Sequence, residues 1–350
     1  MDNTFPVCHL FYYPSQVILV DDDSDFLDAV SLILPRDLSF RLFQSARQAL
    51  THINAAQHHS ELIRRVYSSY KTGPFDSDTL THIDINEIYK EIYNPDRFTT
   101  PSVVVVDYSM PSMNGLELCA SLKNPYIKRI LLTGQADTDI AIQAFNDGLI
   151  DQFISKKDQD LEGKLQRSIA NLQQHYFSKS FKLITDPVVA NSQSRFINDA
   201  EFIDYFNKIR NERKILEYYL LDEPYAGFLM LDEQGIASLL LILPEDELLE
   251  NLKQCEAANA PKELISQLQE RKVIPLFHCA DNDSLVSQLS DDNWQNYYTK
   301  ATQVSNNSPF FCATLENEKT SRLLRNFSPD RIHSYRQHIT SSTVTTKFLH

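Results

Sequence analysis

Short apolar runs alternate with helical patterns along the first half of the chain. The runs that predict strands are VILV at 17–20, SFRLF at 39–43, VVVV at 103–106, RILL at 129–132 and QFI at 152–154. Between them, apolar residues recur at helical spacing, as from Ser24 to Leu34 and in AIQAFNDG, which ends at Gly148. Strands that alternate with helices form parallel sheets covered on both faces. The pattern therefore predicts an α/β fold with a five-stranded, doubly wound parallel sheet.

The stretch from about His52 to Thr100 is too long for a simple connection between two of these strands. It contains two further helical patterns, ELIRRVYSSY and INEIYKEIY, which are interrupted by TGPFDSD and NPDRF. We predict that residues 52–100 form a helical insertion within the first domain.

The pattern changes after about Lys179. The segment AEFIDYFNKIRNERKILEYY predicts a linker helix, and the closely spaced runs LEYYLLD, GFLMLD and IASLLLIL predict an antiparallel meander. Two helical patterns and two short apolar runs follow. We therefore predict an N-terminal extension at 1–16, the parallel domain at 17–178, a helical linker at 179–215 and a smaller α+β domain at 216–350.

Composition narrows the class of protein. A chain of 350 residues with 42% hydrophobic residues is long enough for two globular domains. Its apolar runs are too short to cross a bilayer and its first residues lack the positive segment of a secretory signal, so we expect a cytoplasmic protein that does not bind membranes. The five cysteines stand singly, which argues against a disulfide framework. The formal charge of -14 disfavours non-specific binding to nucleic acid.

Polar side chains follow four of the five predicted parallel strands. Asp21 and Asp22 follow the first strand, Asp107 the third, Thr133 the fourth, and Lys156 comes one residue after the fifth. The carboxyl ends of parallel strands meet at one edge of a sheet, where ligands bind. Clustered carboxylates repel one another unless a cation neutralises them, and Mg²⁺ suits oxygen ligands. A metal, an ammonium group and a hydroxyl group together can stabilise a phosphoryl group during its transfer to a carboxylate.

The ordered segments VILVDDD, VVVVDYSMPSMNGLEL, ILLTG and FISK resemble the signatures of the response-regulator receiver domain. The resemblance covers roughly residues 17–178, apart from the insertion, and implies a flavodoxin-like fold. It implies that Asp107 is the phosphoacceptor. It also implies a Mg²⁺ site formed by Asp21, Asp22, Asp107 and the backbone carbonyl of Ser109.

The same resemblance implies that Thr133 and Lys156 contact the phosphoryl group. It assigns to Phe153 the role of the aromatic switch residue, which turns inward when the threonine moves. The expected phosphoryl donor is a sensor histidine kinase or a phosphotransfer protein, and phosphorylation is expected to promote a homodimer through the face of the receiver's fourth helix, fifth strand and fifth helix. The family usually has a proline after its lysine, whereas Lys157 occupies that position here.

The second half of the chain contains no motif that assigns a function to the predicted α+β domain. It contains no winged-helix or helix-turn-helix pattern and no Ser/His/Asp order typical of a hydrolase. From residue 319 onward six basic residues stand against one acid, which fits either a solvated segment or a site for nucleic acid or an acidic partner. The six are Lys319, Arg322, Arg325, Arg331, Arg336 and Lys347.

An insertion-bearing receiver followed by an uncommon α+β output domain resembles the quorum-sensing response regulators. This resemblance implies control of gene expression or quorum sensing through a protein or nucleic-acid partner. We interpret the chain as a phosphoacceptor signalling protein rather than an enzyme with its own substrate. Two alternatives remain open, a receiver-regulated enzyme and a phosphate sink or relay protein.

Overall fold

The computed structural model describes residues 8–35, 37–56, 58–71, 79–134, 137–190, 196–277, 289, 294–305, 309–316, 320, 323–324 and 327–343. In space the chain divides into two compact units. The described residues of the first, the parallel unit, are those within 13–65, 94–183 and 335–343; those of the second, the antiparallel unit, lie within 8–12, 66–93 and 184–334. The chain therefore passes from one unit to the other several times.

The helices and strands are named in chain order. The strands are β1 (Phe11–Tyr12), β2 (Gln16–Val20), β3 (Phe40–Phe43), β4 (Tyr67–Lys71), β5 (Thr79–Ile83), β6 (Pro101–Asp107), β7 (Lys128–Thr133), β8 (Gln152–Ser155), β9 (Glu217–Leu221), β10 (Gly227–Leu231), β11 (Ala237–Pro244), β12 (Val273–Pro275), β13 (Tyr298–Lys300), β14 (Thr302–Val304) and β15 (Phe310–Glu316). The helices are α1 (Ser24–Ile33), α2 (Ala46–Ala55), α3 (His58–Val66), α4 (Asn86–Tyr89), α5 (Gly115–Ala120), α6 (Thr138–Asn146), α7 (Leu161–Ser180), α8 (Lys182–Ala190), α9 (Ala200–Arg213), α10 (Glu245–Ala257), α11 (Lys262–Gln269) and α12 (Tyr335–Thr343).

The parallel unit is built on a five-stranded parallel sheet in the order β3-β2-β6-β7-β8. The five predicted apolar runs form these strands, and every residue of β2 and β6 is buried, as expected for strands covered on both faces. Alternate residues of β2 and β6, such as Val17, Leu19, Val103 and Val105, pack with α1 and α7 in one core cluster. The predicted flavodoxin-like sheet is therefore confirmed.

The antiparallel unit contains a six-stranded sheet in the order β1-β9-β10-β11-β15-β14. Neighbouring strands of this sheet are antiparallel, and β9, β10 and β11 form the predicted meander. On one face, the rings of Phe202 and Phe206 from α9 pack on Phe228, and Phe206 also contacts Tyr218. Helix α4 of the predicted insertion packs against β9. This second sheet with its helices agrees with the predicted α+β domain.

The prediction of a wholly helical insertion is wrong, because the insertion also contains two strands. Helix α3 ends at Val66, and the residues that continue ELIRRVYSSY form β4, which pairs with β5 as a two-stranded antiparallel ribbon. Tyrosine and threonine favour extended backbone, and pairing with a second strand supplies the hydrogen bonds that the helix would have made. Residues 66–93 belong to the antiparallel unit and not to the unit of the parallel sheet.

The predicted linear boundaries and the units in space differ at both ends of the chain. Strand β1 pairs with β9, so residues 8–12 belong to the antiparallel unit. Helix α12 belongs to the parallel unit, because the Tyr335 hydroxyl donates to the Asp37 carbonyl at 2.6 Å and the Tyr335 ring packs on Phe98. The contiguous domains at 17–178 and 216–350 stay a prediction, because the two units in space are each formed by several separate segments. Among the described helices, none has the length and apolar character needed to cross a bilayer.

Candidate functional site

The site lies at the carboxyl edge of the parallel sheet. Asp21 follows β2 directly, Asp107 is the last residue of β6, Thr133 ends β7, and Lys156 follows β8. The strands are in register there, since Val20 pairs with Val106 and Thr133 pairs with Ser155. This register places the polar residues that follow the strands at one edge of the sheet, as the sequence predicted.

The Lys156 ammonium group joins two buried carboxylates. Its Nζ lies 2.6 Å from Asp21 Oδ2 and 2.7 Å from Asp107 Oδ1. The other oxygen of each carboxylate accepts a backbone hydrogen bond, at 3.1 Å from the Asp23 N–H to Asp21 Oδ1 and at 2.9 Å from the Ser109 N–H to Asp107 Oδ2. Both carboxylates are therefore fixed in orientation, with Lys156 between them.

Three carboxylates at this edge could hold a metal ion together. One oxygen each of Asp21, Asp22 and Asp107 lies within 4.8 Å of the others, and Asp22 is exposed while the other two are buried. The described charges near them include the Lys156 ammonium, so three ionised carboxylates and one ammonium carry two net negative charges. Such an oxygen-rich, negatively charged site fits a hard divalent cation such as Mg²⁺. The three carboxylates therefore lie close enough together to share one ion, as the predicted metal site requires.

Burial shifts the protonation equilibria of this cluster. Removal from water raises the pKa of Asp21, although hydrogen bonds from Lys156 and from the Asp23 backbone oppose the shift. For Lys156, burial acts to lower the pKa, but the hydrogen bonds to Asp107 and Asp21 outweigh it and leave the pKa above its ordinary value. The lysine is therefore held in its charged form at neutral pH.

Three backbone N–H groups hold the loop after β8, in which Lys157 stands where the receiver family that the sequence resembles usually has a proline. The Lys156 N–H donates to the Thr133 carbonyl at 3.0 Å, and the Lys157 N–H donates to Ser155 Oγ at 3.3 Å. The Asp158 N–H closes the turn by donating to the Ser155 carbonyl at 3.0 Å. A proline at position 157 has no N–H to donate, so this turn uses a contact that the usual family residue cannot make.

Gly115 allows the close packing behind Asp107. A Cβ atom on this glycine would lie 2.3 Å from the Asp107 carbonyl oxygen, a separation that real side chains do not adopt. The Gly115 N–H donates to the Tyr108 carbonyl at 3.0 Å, and Asn114 caps the helix that begins at Gly115. The MNG segment therefore fixes the backbone of the aspartate itself.

The comparisons with known proteins agree with this geometry. The response regulator receiver domain family matches residues 78–166, which include Asp107, Thr133 and Lys156. The solved structure of the Legionella pneumophila response regulator LqsR is similar to almost the whole chain, with 30% sequence identity, coverage of 98% of this chain and 98% of that chain, and a TM-score of 0.76. This chain belongs to the response-regulator family. Among the curated proteins, none matches the sequence of this response regulator.

Two further solved structures align with about half of this response regulator. The adenylate cyclase from Rhodopirellula baltica has 23% identity over 49% of this chain and 98% of that chain, with a TM-score of 0.33. A response regulator receiver domain protein from Clostridium thermocellum has 17% identity over 49% of this chain and 99% of that chain, with a TM-score of 0.29.

Phe153 of the response regulator lies on β8, where it pairs with Leu131 and is half-buried. Its ring contacts Phe145 of α6 edge to face, with 6.4 Å between the ring centroids. Phe145 is exposed, and so are Ile140 and Ile142 of the same helix. The predicted switch residue therefore borders an exposed apolar surface on α6.

One neighbour of the site has no signal in the sequence of this response regulator. Lys156 Nζ lies 4.5 Å from the centroid of the Phe26 ring, and Phe26 has the spacing of an ordinary core residue of α1. Most of the six basic residues from 319 onward lie outside the described part of the chain: Lys319, Arg322, Arg325 and Lys347 are not described. Arg331 and Arg336 are described, and both are exposed.

Proposed function

We propose that this response regulator is phosphorylated on Asp107 by a sensor histidine kinase or a phosphotransfer protein in the cytoplasm. The observation that carries the proposal is the joining of Asp21 and Asp107 by the Lys156 ammonium, with the carboxylate of Asp22 close enough to share a cation. A phosphoacceptor needs a fixed carboxylate and positive charge beside it, and both are present here.

In the proposed reaction an Asp107 carboxylate oxygen attacks the phosphorus of the donor. The new O–P bond forms as the bond from phosphorus to the donor atom breaks, and the donor leaves with the electron pair of that bond. The Ser109 N–H orients the acceptor carboxylate, and Lys156 lies where its ammonium group can pair with the oxygens of the transferred group. The hydroxyl of Thr133 supplies a further hydrogen bond to the same oxygens in this proposal.

Asp21, Asp22 and Asp107, with the backbone carbonyl of Ser109, would hold Mg²⁺. When bound, the ion would neutralise charge on the carboxylates and on the phosphoryl oxygens. The surplus of negative charge supports this role, because a bound cation would offset it. Burial, which raises the pKa of Asp21, makes the charged form of this carboxylate costly, and a cation beside it would stabilise that form.

We further propose that phosphorylation moves Thr133 and turns Phe153 inward, which alters the face formed by α6, β8 and α7. The exposed Ile140, Ile142 and Phe145 make this face apolar, and burying them against a second copy would stabilise a dimer. Phosphorylation would in this way control the output domain, which acts on gene expression or quorum sensing through a protein or nucleic-acid partner. The similarity of nearly the whole chain to another response regulator supports an output of the same general kind.

The first experiment treats the full chain with acetyl phosphate and Mg²⁺ and follows the intact mass. We expect one phosphoryl group on the wild type, none on Asp107→Asn, and a much slower reaction for Lys156→Met. Asn has nearly the shape of Asp, so this variant tests the acceptor oxygen rather than the packing. A wild-type chain that stays unmodified with several donors would contradict the proposal.

The dimer is tested in the same samples by light scattering after size exclusion. We expect the phosphorylated wild type to double in mass and Ile142→Glu to stay monomeric although it takes up phosphate, because a buried charge at the interface would lack a partner. Leu249→Glu on α10 is the matched control, since Leu249 is about as exposed as Ile142. If the fully phosphorylated wild type has the same molar mass in light scattering as the unphosphorylated protein, the proposed dimerisation is wrong.

A further inference from the structure

Both the backbone and the ring of Phe26 are fixed by neighbouring groups. Its backbone N–H donates to Asp23 Oδ1 at 3.2 Å, and Asp23 caps the first turn of α1. The Phe26 ring packs against the core cluster of the parallel sheet and is half-buried. Since the Asp23 N–H donates to Asp21 Oδ1, one short segment fixes both the ring and an acidic residue of the site.

The Phe26 ring also faces the ammonium group of Lys156. The distance of 4.5 Å from Lys156 Nζ to the ring centroid is within the range of about 6 Å over which a cation is attracted to an aromatic face. The Lys156 side chain is 24% exposed, so water screens this attraction only in part.

The ring differs from the other two described contacts of the ammonium group. Asp107 would become the phosphorylated group, so the charge of this contact changes during the reaction, and Asp21 would share its charge with the metal ion. The charge distribution of Phe26 stays the same throughout.

We infer that Phe26 is a positioning residue for Lys156, which keeps the ammonium group over the site before and after phosphoryl transfer. The inference rests on the proposed phosphorylation of Asp107. It predicts that the electron density of the ring, and not only its shape, sets the rate of phosphorylation. A ring that served only the core would affect folding stability and leave this rate unchanged.

The test replaces Phe26 by phenylalanines with one, two and three ring fluorines, which change the size little and weaken the negative ring face stepwise. With acetyl phosphate and Mg²⁺, we expect the phosphorylation rate of the full chain to fall with each fluorine. For Phe26→Leu we expect a rate lower by about three- to tenfold. The same fluorines at Phe40, which packs against the same core cluster, are the matched control and should leave the rate unchanged.

A second readout follows the contact itself without phosphorylation. The ring current of Phe26 should move the NMR signals of the Lys156 ε-methylene protons upfield, and Phe26→Leu should abolish the shift. If the shift is present but the wild type takes up no phosphate, the contact is right and the assignment of Asp107 is wrong. Equal rates for the whole fluorinated series, or the absence of the shift in the wild type, would overturn the inference.

Discussion

The substitution Gly115→Ala tests whether the backbone behind Asp107 is as tightly packed as the structure indicates. The new Cβ would lie 2.3 Å from the Asp107 carbonyl oxygen and 3.0 Å from Leu131 Cδ1. The closest of these atoms belongs to the backbone of β6, so either Asp107 or the start of α5 must move by about 1 Å.

The magnitude follows from two terms. Overpacking of this kind costs about 1–3 kcal/mol, and the better helix propensity of alanine recovers at most about 1 kcal/mol of it. Displacement of a reacting group by about 1 Å can lower a rate by about a hundredfold. We therefore expect a modest loss of stability in urea unfolding and a large loss in the rate of phosphorylation of Asp107 by acetyl phosphate.

Gly148→Ala provides the matched control. Gly148 has a φ of +69°, so alanine there is strained by about 1–2 kcal/mol. Its new Cβ would meet nothing within 4 Å, and the residue precedes β8 at the other edge of the sheet from Asp107. This variant should lose a similar stability and keep its phosphorylation rate. Equal rates for Gly115→Ala and the wild type, or an equal loss of rate in Gly148→Ala, would refute the reasoning.

Three further predictions follow from other contacts. Hydrogen bonds to Asp107 and Asp21 raise the pKa of Lys156, so the stability that they provide should persist below pH 10.5 and decline above it. Thermal unfolding between about pH 9 and 12 should show a smaller loss of stability for Lys156→Met than for the wild type. Tyr335→Phe removes the hydrogen bond to the Asp37 carbonyl and should lower the free energy of unfolding by about 1 kcal/mol without changing phosphorylation; Arg336→Ala on the same helix, whose side chain is exposed, should have no such effect. Mg²⁺ at about ten times its dissociation constant should stabilise the wild type by about 1.4 kcal/mol, and Asp22→Asn should need more Mg²⁺ for the same gain in calorimetry.

The parallel sheet and its acidic edge could be predicted from the sequence because both depend on local patterns. A continuous run such as VVVV predicts a strand buried on both faces, and the polar residue that ends the run marks the carboxyl edge. Asp107 and Thr133 end their strands in this way, and Lys156 follows its strand directly. Local patterns along the chain were therefore enough to predict that these residues, although distant in sequence, lie close together.

The features that could not be predicted depend on contacts between distant segments. Helix α5 ends at Ala120, and the Asn54 side chain holds the chain that follows it. Asn54 accepts from the Lys123 N–H at 2.9 Å and donates to the Ser121 carbonyl at 3.2 Å. No periodicity reveals such a contact. The ring of Phe26 likewise has core spacing. Its contact with Lys156 joins α1 to the loop after β8, and the strands that precede them, β2 and β8, are not neighbours in the sheet.

The same reason explains why the predicted domain order differs from the units in space. The helical spacing of ELIRRVYSSY gave no indication that its last residues pair with β5, since strand pairing depends on the partner. Helix α12 packs on Phe98 through Tyr335 and His338, although more than two hundred residues separate these partners. Which unit a segment joins is decided by such packing and not by its position along the chain.

The most direct test of the phosphoacceptor assignment is to locate the phosphoryl group. After reaction of the full chain with acetyl phosphate and Mg²⁺, borohydride reduces an aspartyl phosphate to homoserine, which peptide mass spectrometry can place in the sequence. The proposal predicts homoserine at position 107 in the wild type, Mg²⁺-dependent and absent without the donor. Homoserine at another aspartate, or none in a chain that retains its native fold, would contradict it.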